Sequence, residues 1–498
     1  MAIMYRTLMT TSLMLLVTFT VVTAQTFQEV VESEDKSVWQ SFLAEHDLNE
    51  CYGKETLLSA AAKAGNISLL KTLLKEGASV DKSCSQGETP LMTAASFLQN
   101  HAAKMLLRSG ADPMKLDVLE RNAFDIALEN ENFQLFNHLI KTDGHHLAEP
   151  DGPFLFRQEG NMLAHLQLIK TKKDRVRALT ASLEGPFYYN KQWKCNNPEG
   201  EELFSFQIRS NPKPSPAVYS SPEKLLAISD IEGNFDAFAN LLKGNKVIDE
   251  DFEWTYGKGH LVLVGDFFDR GPQVTETLWL VYKLEEEAEK AGGKVHFILG
   301  NHETMNLRGD FRYVDPKYFV HASLFNLQYA HLYAPNSILG EWLRTKNTMV
   351  KIGETLFCHG GISQDFANRQ LSIQRVNDIT RKYIDADPLR VRNDDAAKAI
   401  FNTSKGILWY RGYVQMKTDS KKVAKTLDFY EARTIVVGHT PVNEICQLYD
   451  GQVIAIDVPH NMGEEHQQAL LIEYNQMYAV GMHGKKRLLS ASTAKITP

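Results

Sequence analysis

The sequence predicts an α/β domain preceded by an all-α repeat module, and three observations carry that expectation. A 33-residue period runs through the first third of the chain. From residue 223 onward, apolar runs too short for helices alternate with helical patterns. Five of those runs are each followed at once by Asp, Asn, His or Gly. At 498 residues the chain has room for about three domains. A composition of 43% hydrophobic and 23% charged residues excludes a disordered tail or a collagen-like repeat. With 54 Lys+Arg against 61 Asp+Glu the net charge is −7, so bulk electrostatics call for no nucleic-acid partner and any phosphate site must be local.

Residues 1–24 place Arg6 before the apolar stretch Leu13 to Val22, then Val22-Thr23-Ala24 before Gln25, the order of a secretory signal peptide. The mature chain is therefore expected to be exported, periplasmic or secreted, with no stable membrane span after cleavage. The other reading, an uncleaved anchor, needs a longer apolar segment to cross a hydrocarbon core of ~30 Å. The five cysteines, Cys51, Cys84, Cys195, Cys358 and Cys446, are odd in number and irregular in spacing, which does not suggest a disulfide framework. Cys358 lies in an apolar run and reads as a core residue.

The period follows from matching blocks. Thr56-Leu57-Leu58-Ser59-Ala60-Ala61 returns as Thr89-Pro90-Leu91-Met92-Thr93-Ala94 and again as Asn122-Ala123-Phe124-Asp125-Ile126-Ala127. Leu73-Leu74 with Gly77-Ala78 returns as Leu106-Leu107 with Gly110-Ala111. This resembles the ankyrin repeat, so residues 36–144 are assigned about three such units, 36–50 serving as a degenerate cap. No unit carries the His of the family's T-P-L-H start, Met92 standing there in the second. Cys51 and Cys84 occupy equivalent positions, and the width of a helix pair is expected to hold them too far apart to bond. The module reads either as a protein-binding surface or as a structural cap. Residues 145–222, with the basic segment Lys170 to Arg177 and the Pro-rich run Asn211 to Pro216, are assigned as a bridging segment with some β structure.

In the domain assigned to residues 223–490, Leu225 to Ile228, Leu261 to Val264, Val295 to Leu299, Leu356 to Cys358 and Ile435 to Val437 read as buried strands. Phe235 to Leu242 and Thr275 to Lys290 read as helices between the first three, with Glu285 to Glu287 expected on a solvated face. Asp450-Gly451 marks a hairpin that adds antiparallel strands. After the five strands come Ser229-Asp230-Ile231-Glu232-Gly233-Asn234, Gly265-Asp266-Phe267-Phe268-Asp269-Arg270-Gly271, Gly300-Asn301-His302-Glu303, His359-Gly360-Gly361 and Gly438-His439-Thr440. One Asp or His after a strand is an ordinary turn residue, whereas five such loops beyond the carboxyl ends of one sheet system should meet at one site. Carboxylate, Asn carbonyl and imidazole without thiolate suit two divalent ions of the Mn, Fe or Zn kind. Two such ions can clamp a phosphoryl group, and an Arg beside them can grip its oxygens bidentately.

These blocks resemble the PPP-type phosphatases among the calcineurin-like metallophosphoesterases, and Gly300 to Leu307, Arg312-Tyr313-Val314 and Trp409-Tyr410-Arg411-Gly412 look most like the Shewanella-like phosphatase branch. The resemblance implies a metallophosphatase β-sandwich flanked by helices. It implies one metal among Asp230, Glu232 and Asp266, and a second held by Asp266, Asn301, His359 and His439. It makes His302 the general acid, held by Asp269, gives Arg270 and Arg411 the phosphate oxygens, and attacks the ester with metal-bound hydroxide and no covalent enzyme intermediate. The family's D-x-H is here Asp230-Ile231-Glu232, read as an oxygen ligand favouring Mn, with loss of the first metal as the other reading. The expected substrate is a phosphoprotein Ser/Thr or Tyr monoester, the alternatives being a small phosphomonoester or an inactive scaffold acting through its ankyrin repeats. Arg308 and Arg312 could reach substrate or form surface ion pairs, and His460, near a hairpin end, either lines the site or lies outside it.

Overall fold

The computed structural model describes residues 27–171, 175–185 and 187–489. The signal-like segment 1–24 lies outside them. The chain divides into two compact units, 1–147 and 148–498.

In the first unit the helix Lys36–Glu45 precedes three helix pairs, Leu57–Ala64 with Ile67–Lys75, Pro90–Ser96 with Asn100–Arg108, and Ala123–Glu129 with Phe133–Thr142. Each first helix starts where the repeat motif starts. Thr56, Thr89 and Asn122 are the N-caps, and their side chains accept the backbone N–H of Ser59, Met92 and Asp125. Thr and Asn thus satisfy the orphan donors without the consensus His. Asn66 and Asn132 cap the second helices and also donate to backbone carbonyls of the preceding segment, Val31 and Ala95. Leu70, Leu73, Ala94, Leu106, Phe124 and Leu139 are all buried between the stacked pairs.

One expectation fails here. Cys51 and Cys84 form a disulfide, with their Cα atoms 6.0 Å apart. The spacing of stacked helices does not apply to them, because both sit in the turns that precede the helices: Cys51 in the hairpin strand Cys51–Tyr52, Cys84 between Ile67–Lys75 and Pro90–Ser96. Successive turns lie within hydrogen-bonding reach, as Val118 N donating to Gln86 O at 3.2 Å also shows.

The second unit is a sandwich of two six-stranded sheets. In one, Lys294–Phe297, His260–Leu263 and Lys224–Ile228 run parallel, followed by the antiparallel strands Gln468–Glu473, Gln476–Gly481 and Lys486–Leu488. In the other the order is Cys446–Leu448, Val453–Ala455, Thr434–Val437, Thr355–Cys358, Met349–Ile352 and Val218–Tyr219. The period-2 alternation of strands splits the apolar residues cleanly. Ala227, Val262, Val264, Phe357, Val436 and Ile454 fill the space between the sheets. Leu226, Ile228, Leu261 and Leu263 face outward onto the helices Phe235–Gly244 and Val274–Lys290, while Leu356, Ile435 and Val437 face Ile373–Tyr383 and Ser420–Tyr430.

Residues 151–206 form a three-stranded antiparallel sheet, Asp151–Gln158, Met162–Lys170 and Val176–Glu184, and a hairpin, Trp193–Asn196 with Glu202–Phe206. Phe154, Leu163, Trp193 and Phe206 belong to the same core as the helix Val274–Lys290, the Phe206 ring stacking on Trp279 at 4.2 Å. On the same helix the reading of Glu285 as solvated is corrected. It is buried, and its carboxylate takes Lys346 Nζ at 2.5 Å, Trp342 Nε1 at 2.8 Å and Arg209 Nη1 at 3.2 Å. Cys358 is buried in the core, as expected. Among the described residues no helix is long and apolar enough to cross a membrane.

Candidate active site

The five ligand-rich loops leave the sandwich at one end because parallel strands in register must end together. Ile228 pairs Leu263 and Leu263 pairs Phe297, so loops 229–234, 264–271 and 298–303 start side by side, and Phe357 pairs Val436 in the facing sheet. Backbone hydrogen bonds then zip them: Asp230 N to Gly265 O at 3.0 Å, Glu232 N to Asp266 O at 3.0 Å and Gly438 N to His359 O at 2.8 Å. Glycines allow this approach. A Cβ on Gly300 would stand 2.1 Å from Asp266 Oδ1, and one on Gly438 2.0 Å from Ser229 Oγ. Asp230, Glu232, Asp266, Asp269, Arg270 and His439 all have φ between 48° and 72°, each costing on the order of 1 kcal/mol for a non-glycine residue. Six such residues in one place mark a region built for something other than stability.

The cavity so formed has a volume of about 390 Å³, and Asp230, Glu232, Asp266, Arg270, His302, Arg411 and His439 line it. His359, Asn301 and Asp269 stand behind, buried. Ligand atoms of Asp266, His359 and His439 lie within 4.8 Å of one another, and so do those of Glu232, Asp266 and His302, with Asp266 common to both sets. Asp230 belongs to neither triad; its carboxylate accepts the His439 N–H at 3.1 Å and the Ser229 hydroxyl. The second triad therefore brings in His302, expected only as an acid, beside Glu232.

The buried polar atoms fit a cation. His359 Nδ1 donates to Val264 O at 2.7 Å and its Nε2 faces Asp266 Oδ2 at 2.9 Å, where a divalent ion would take the place of the shared proton, and His439 Nε2 donates to Trp409 O at 3.1 Å, which leaves a lone pair on its Nδ1. Those nitrogens lie 3.0 Å and 2.7 Å from Asn301 Oδ1, which also stands 3.2 Å from Asp266 Oδ2 and 3.3 Å from Leu408 O. Turning the Asn301 amide would offer two hydrogens to four acceptors, whereas one divalent ion satisfies the converging lone pairs together. Electrostatics agree. Burial pushes the Glu232 carboxyl up to about 8 against the pull of Arg270, and pushes Asp230 up to about 6. The charges of Asp266 and Asp230 in turn raise His359 to about 10, so the crowded carboxylates draw protons onto neighbouring groups where a divalent ion would supply the positive charge.

On the open side, Arg270 Nη1 reaches Glu232 Oε2 at 3.1 Å. His302 Nδ1 donates to Asp269 Oδ2 at 2.6 Å, and both residues are nearly inaccessible. Burial disfavours the imidazolium, yet the charges of Asp266 and Asp269 outweigh it and raise His302 to about 9.

Several participants escaped sequence reasoning. Glu303 accepts N–H groups from Asp266 at 3.0 Å, Phe267 at 2.7 Å and Gly300 at 2.6 Å, and so ties the second loop to the third. Asn306 Nδ2 donates to Asp269 Oδ1 at 2.7 Å, and Tyr329 Oη donates to Asn306 Oδ1 at 2.5 Å, so a buried chain runs from His302 through Asp269 and Asn306 to Tyr329. Asp457 and His460 line the cavity. Asp457 is 7% exposed, and burial among Asp230 and Glu232 raises it well above the usual carboxylate range. His460 Nε2 donates to Ser229 O at 3.1 Å, and its Nδ1 has no partner among the described residues. By contrast, Arg308 donates to Tyr383 O and Arg312 pairs with Asp310; neither lines the cavity.

Comparison with known proteins agrees with this geometry. The calcineurin-like phosphoesterase family model matches residues 223–443, and a model of three ankyrin repeats matches residues 27–117. Shewanella-like protein phosphatase 1 of Plasmodium berghei is 30% identical over 278 residues, 53% of this chain and 75% of that protein. Shewanella-like protein phosphatase 2 of Arabidopsis thaliana is 26% identical over 295 residues, 49% of this chain and 73% of that protein. The crystal structure of a cold-active protein-tyrosine phosphatase from a psychrophilic Shewanella superposes with a TM-score of 0.63 at 34% identity, covering 69% of this chain and all of that one. Calcineurin-like phosphoesterases use a dinuclear metal site, for which this cavity holds candidate ligand groups. The chain belongs to the Shewanella-like protein phosphatases of the calcineurin-like phosphoesterase family, and it is a phosphatase that carries ankyrin repeats.

Proposed function

We propose that the protein hydrolyses phosphate monoesters on proteins at this cavity, phosphotyrosine first among them. The observation that carries the reading is the buried His302–Asp269 pair beside two groups of donors that share Asp266, one with His359 and His439 and one with Glu232 and His302 itself, with Arg270 and Arg411 on the open side. Asp266, Asn301, His359 and His439 would hold one divalent ion, and Asp230, Glu232 and Asp266 the other, Mn suiting the oxygen-rich second set. When bound, the ions offer positive charge to the phosphoryl oxygens and lower the pKa of a water.

The chain's own residues do the rest. Arg270 leaves Glu232 to grip the phosphoryl oxygens together with Arg411. His302, charged at neutral pH, gives its Nε2 proton to the ester oxygen as the P–O bond breaks, while Asp269 keeps Nδ1 engaged so that the ring presents the correct nitrogen. The choice of phosphotyrosine rests on the name of the Shewanella structure, a protein-tyrosine phosphatase at 34% identity.

The test is phosphate release from matched phosphotyrosine and phosphoserine peptides and from a nucleotide, each with added Mn, Fe, Zn or Mg. Fastest turnover of phosphotyrosine, lost in Asp266→Asn, supports the reading. Faster turnover of the nucleotide would assign a small-molecule phosphoesterase, and no release with any ester or metal would leave a scaffold.

Export is the second part of the proposal. The order of residues 1–24 and the Cys51–Cys84 disulfide both support it, since such bonds persist in oxidising compartments. A mature N-terminus at Gln25, read by mass spectrometry, checks it.

A further inference from the structure

The second helices of the first two ankyrin repeats, Ile67–Lys75 and Asn100–Arg108, run for nine residues each, about 14 Å. Between them lies a groove of about 590 Å³. Four cations line it, Lys71 and Lys75 on one helix and Lys104 and Arg108 on the next, and no carboxylate does. The 33-residue period sets the pattern, for Lys71 becomes Lys104 and Lys75 becomes Arg108 one repeat later. Among the described residues none of the four pairs with a carboxylate within 4 Å. Leu74 and Met105, each half-buried, form an apolar floor.

Each helix carries a like-charge pair at i,i+4, Lys71 with Lys75 and Lys104 with Arg108, so positive charge is concentrated on this face of a chain whose net charge is −7. On the helix Val274–Lys290, by contrast, Lys283 is compensated by Glu287 and Lys290 by Glu286.

We propose that this groove is a docking site for an acidic polypeptide segment with apolar residues at intervals, whose carboxylates meet the four cations while its apolar side chains rest on Leu74 and Met105. Charge complementarity selects the sign of the partner. The groove's lining selects its class: no Phe, Tyr or Trp is there to form a base-stacking platform, the imidazole of His101 being its single ring, and no large exposed apolar side chain is there to enter a bilayer. The inference rests on the repeat unit alone and does not depend on the phosphatase substrate.

The experiment measures fluorescence anisotropy of a labelled 16-residue peptide of Glu with Leu at helical spacing, titrated with the whole chain. A peptide with Lys in place of Glu, and phosphatidylserine vesicles, run in parallel. The acidic peptide should bind, weaken as salt rises, and lose about tenfold in affinity in the Lys71→Glu/Lys104→Glu variant, with aryl phosphate turnover unchanged and no fall in melting temperature. Absence of binding, or equal binding by the variant, overturns the proposal. So does retention on vesicles that depends on Lys71 and Lys104 while the peptide is ignored, which would assign the groove to a lipid surface.

Discussion

Replacing Asp269 by Asn tests the acid on which the proposed chemistry depends. The Asp269 carboxylate accepts from His302 Nδ1 at 2.6 Å and from Asn306 Nδ2 at 2.7 Å, and both it and the ring are shielded from water. Asn keeps the shape and an acceptor but removes the charge. A hydrogen bond to a charged partner contributes about 1.5–3 kcal/mol, and each pKa unit is about 1.4 kcal/mol, so the acid dissociation of His302 should fall by roughly one to two units. A neutral imidazole carries no Nε2 proton to spare when Nδ1 holds it. The activity that depends on the protonated ring is lost as pH rises through its pKa, so the alkaline limb of kcat should move down by roughly one to two units relative to the parent. The assay compares two aryl phosphates. Phenyl phosphate has a basic leaving oxygen and needs the proton, and its kcat should drop by about 10²–10⁴. p-Nitrophenyl phosphate leaves as a stable anion and should lose far less. An equal loss with both esters, at an unmoved alkaline limb, refutes His302 as the acid and Asp269 as its support.

Four further outcomes are expected. Tyr329→Phe removes the donor to Asn306 Oδ1, so kcat should fall several-fold with KM unchanged and stability should drop by about 1–3 kcal/mol in urea unfolding; a change in KM alone would break the link to Asp269. Glu232→His withdraws a negative charge and releases Arg270 from its 3.1 Å ion pair, so KM for an aryl phosphate should fall severalfold and bound metal, measured by mass spectrometry, should shift from Mn toward Zn. Converting Cys51 and Cys84 to Ser removes a cross-link spanning 33 residues, with an expected loss of about 3–4 kcal/mol in the repeat unit, read from urea unfolding of the whole chain under oxidising conditions. Glu276 is buried with both carboxyl oxygens unpartnered, and burial raises it to about 8 from an ordinary 4.5. The folded state therefore keeps a proton that the unfolded chain releases above about pH 4.5, and stability falls as pH rises from there to about 8. Glu276→Gln should match the parent near pH 4.5 and exceed it by roughly 2–5 kcal/mol at pH 8, and coincident melting curves across that range would contradict the assignment.

Local signals carried most of the sandwich and of the site. A strand such as Leu225 to Ile228 announces itself by four apolar residues, and the loop after it by Ser229, Asp230 and Gly233, all within ten positions. The convergence of the loops follows from register alone, since parallel neighbours that start together end together. What escaped depends on distance in sequence. Tyr329 reaches Asn306 across 23 positions, and Glu285 is covered by Trp342, Lys346 and Arg209, which lie 57, 61 and 76 positions away. His460, for which the sequence leaves two places open, arrives at the cavity through its bond to Ser229, 231 positions earlier. The Cys51–Cys84 bond depends on the path of turns, where the repeat period describes helices.

Backbone conformation is the least legible layer and the most informative about the site. Asp and His favour left-handed φ only weakly beside glycine, and Glu and Arg do not, so the residue names did not foretell that Asp230, Glu232, Asp266, Asp269, Arg270 and His439 would adopt it together. Strain of this kind persists only where surrounding contacts over-determine it. Here those contacts can be named: Glu303 holds three N–H groups of two loops, Gly265 and Gly300 let those loops touch, and Arg270 N is fixed by Tyr313 O at 2.8 Å. Glu232, the residue that departs from the D-x-H pattern, stands inside this framework with its N–H on Asp266 O and its own carbonyl receiving Gly271 N at 2.8 Å. The backbone of Glu232 is held by the same hydrogen bonds that position Asp266, whatever side chain it carries, and its carboxylate lies within 4.8 Å of ligand atoms of Asp266 and His302, so the departure from D-x-H bears on the charge and donor chemistry at this position and not on the path of the loop.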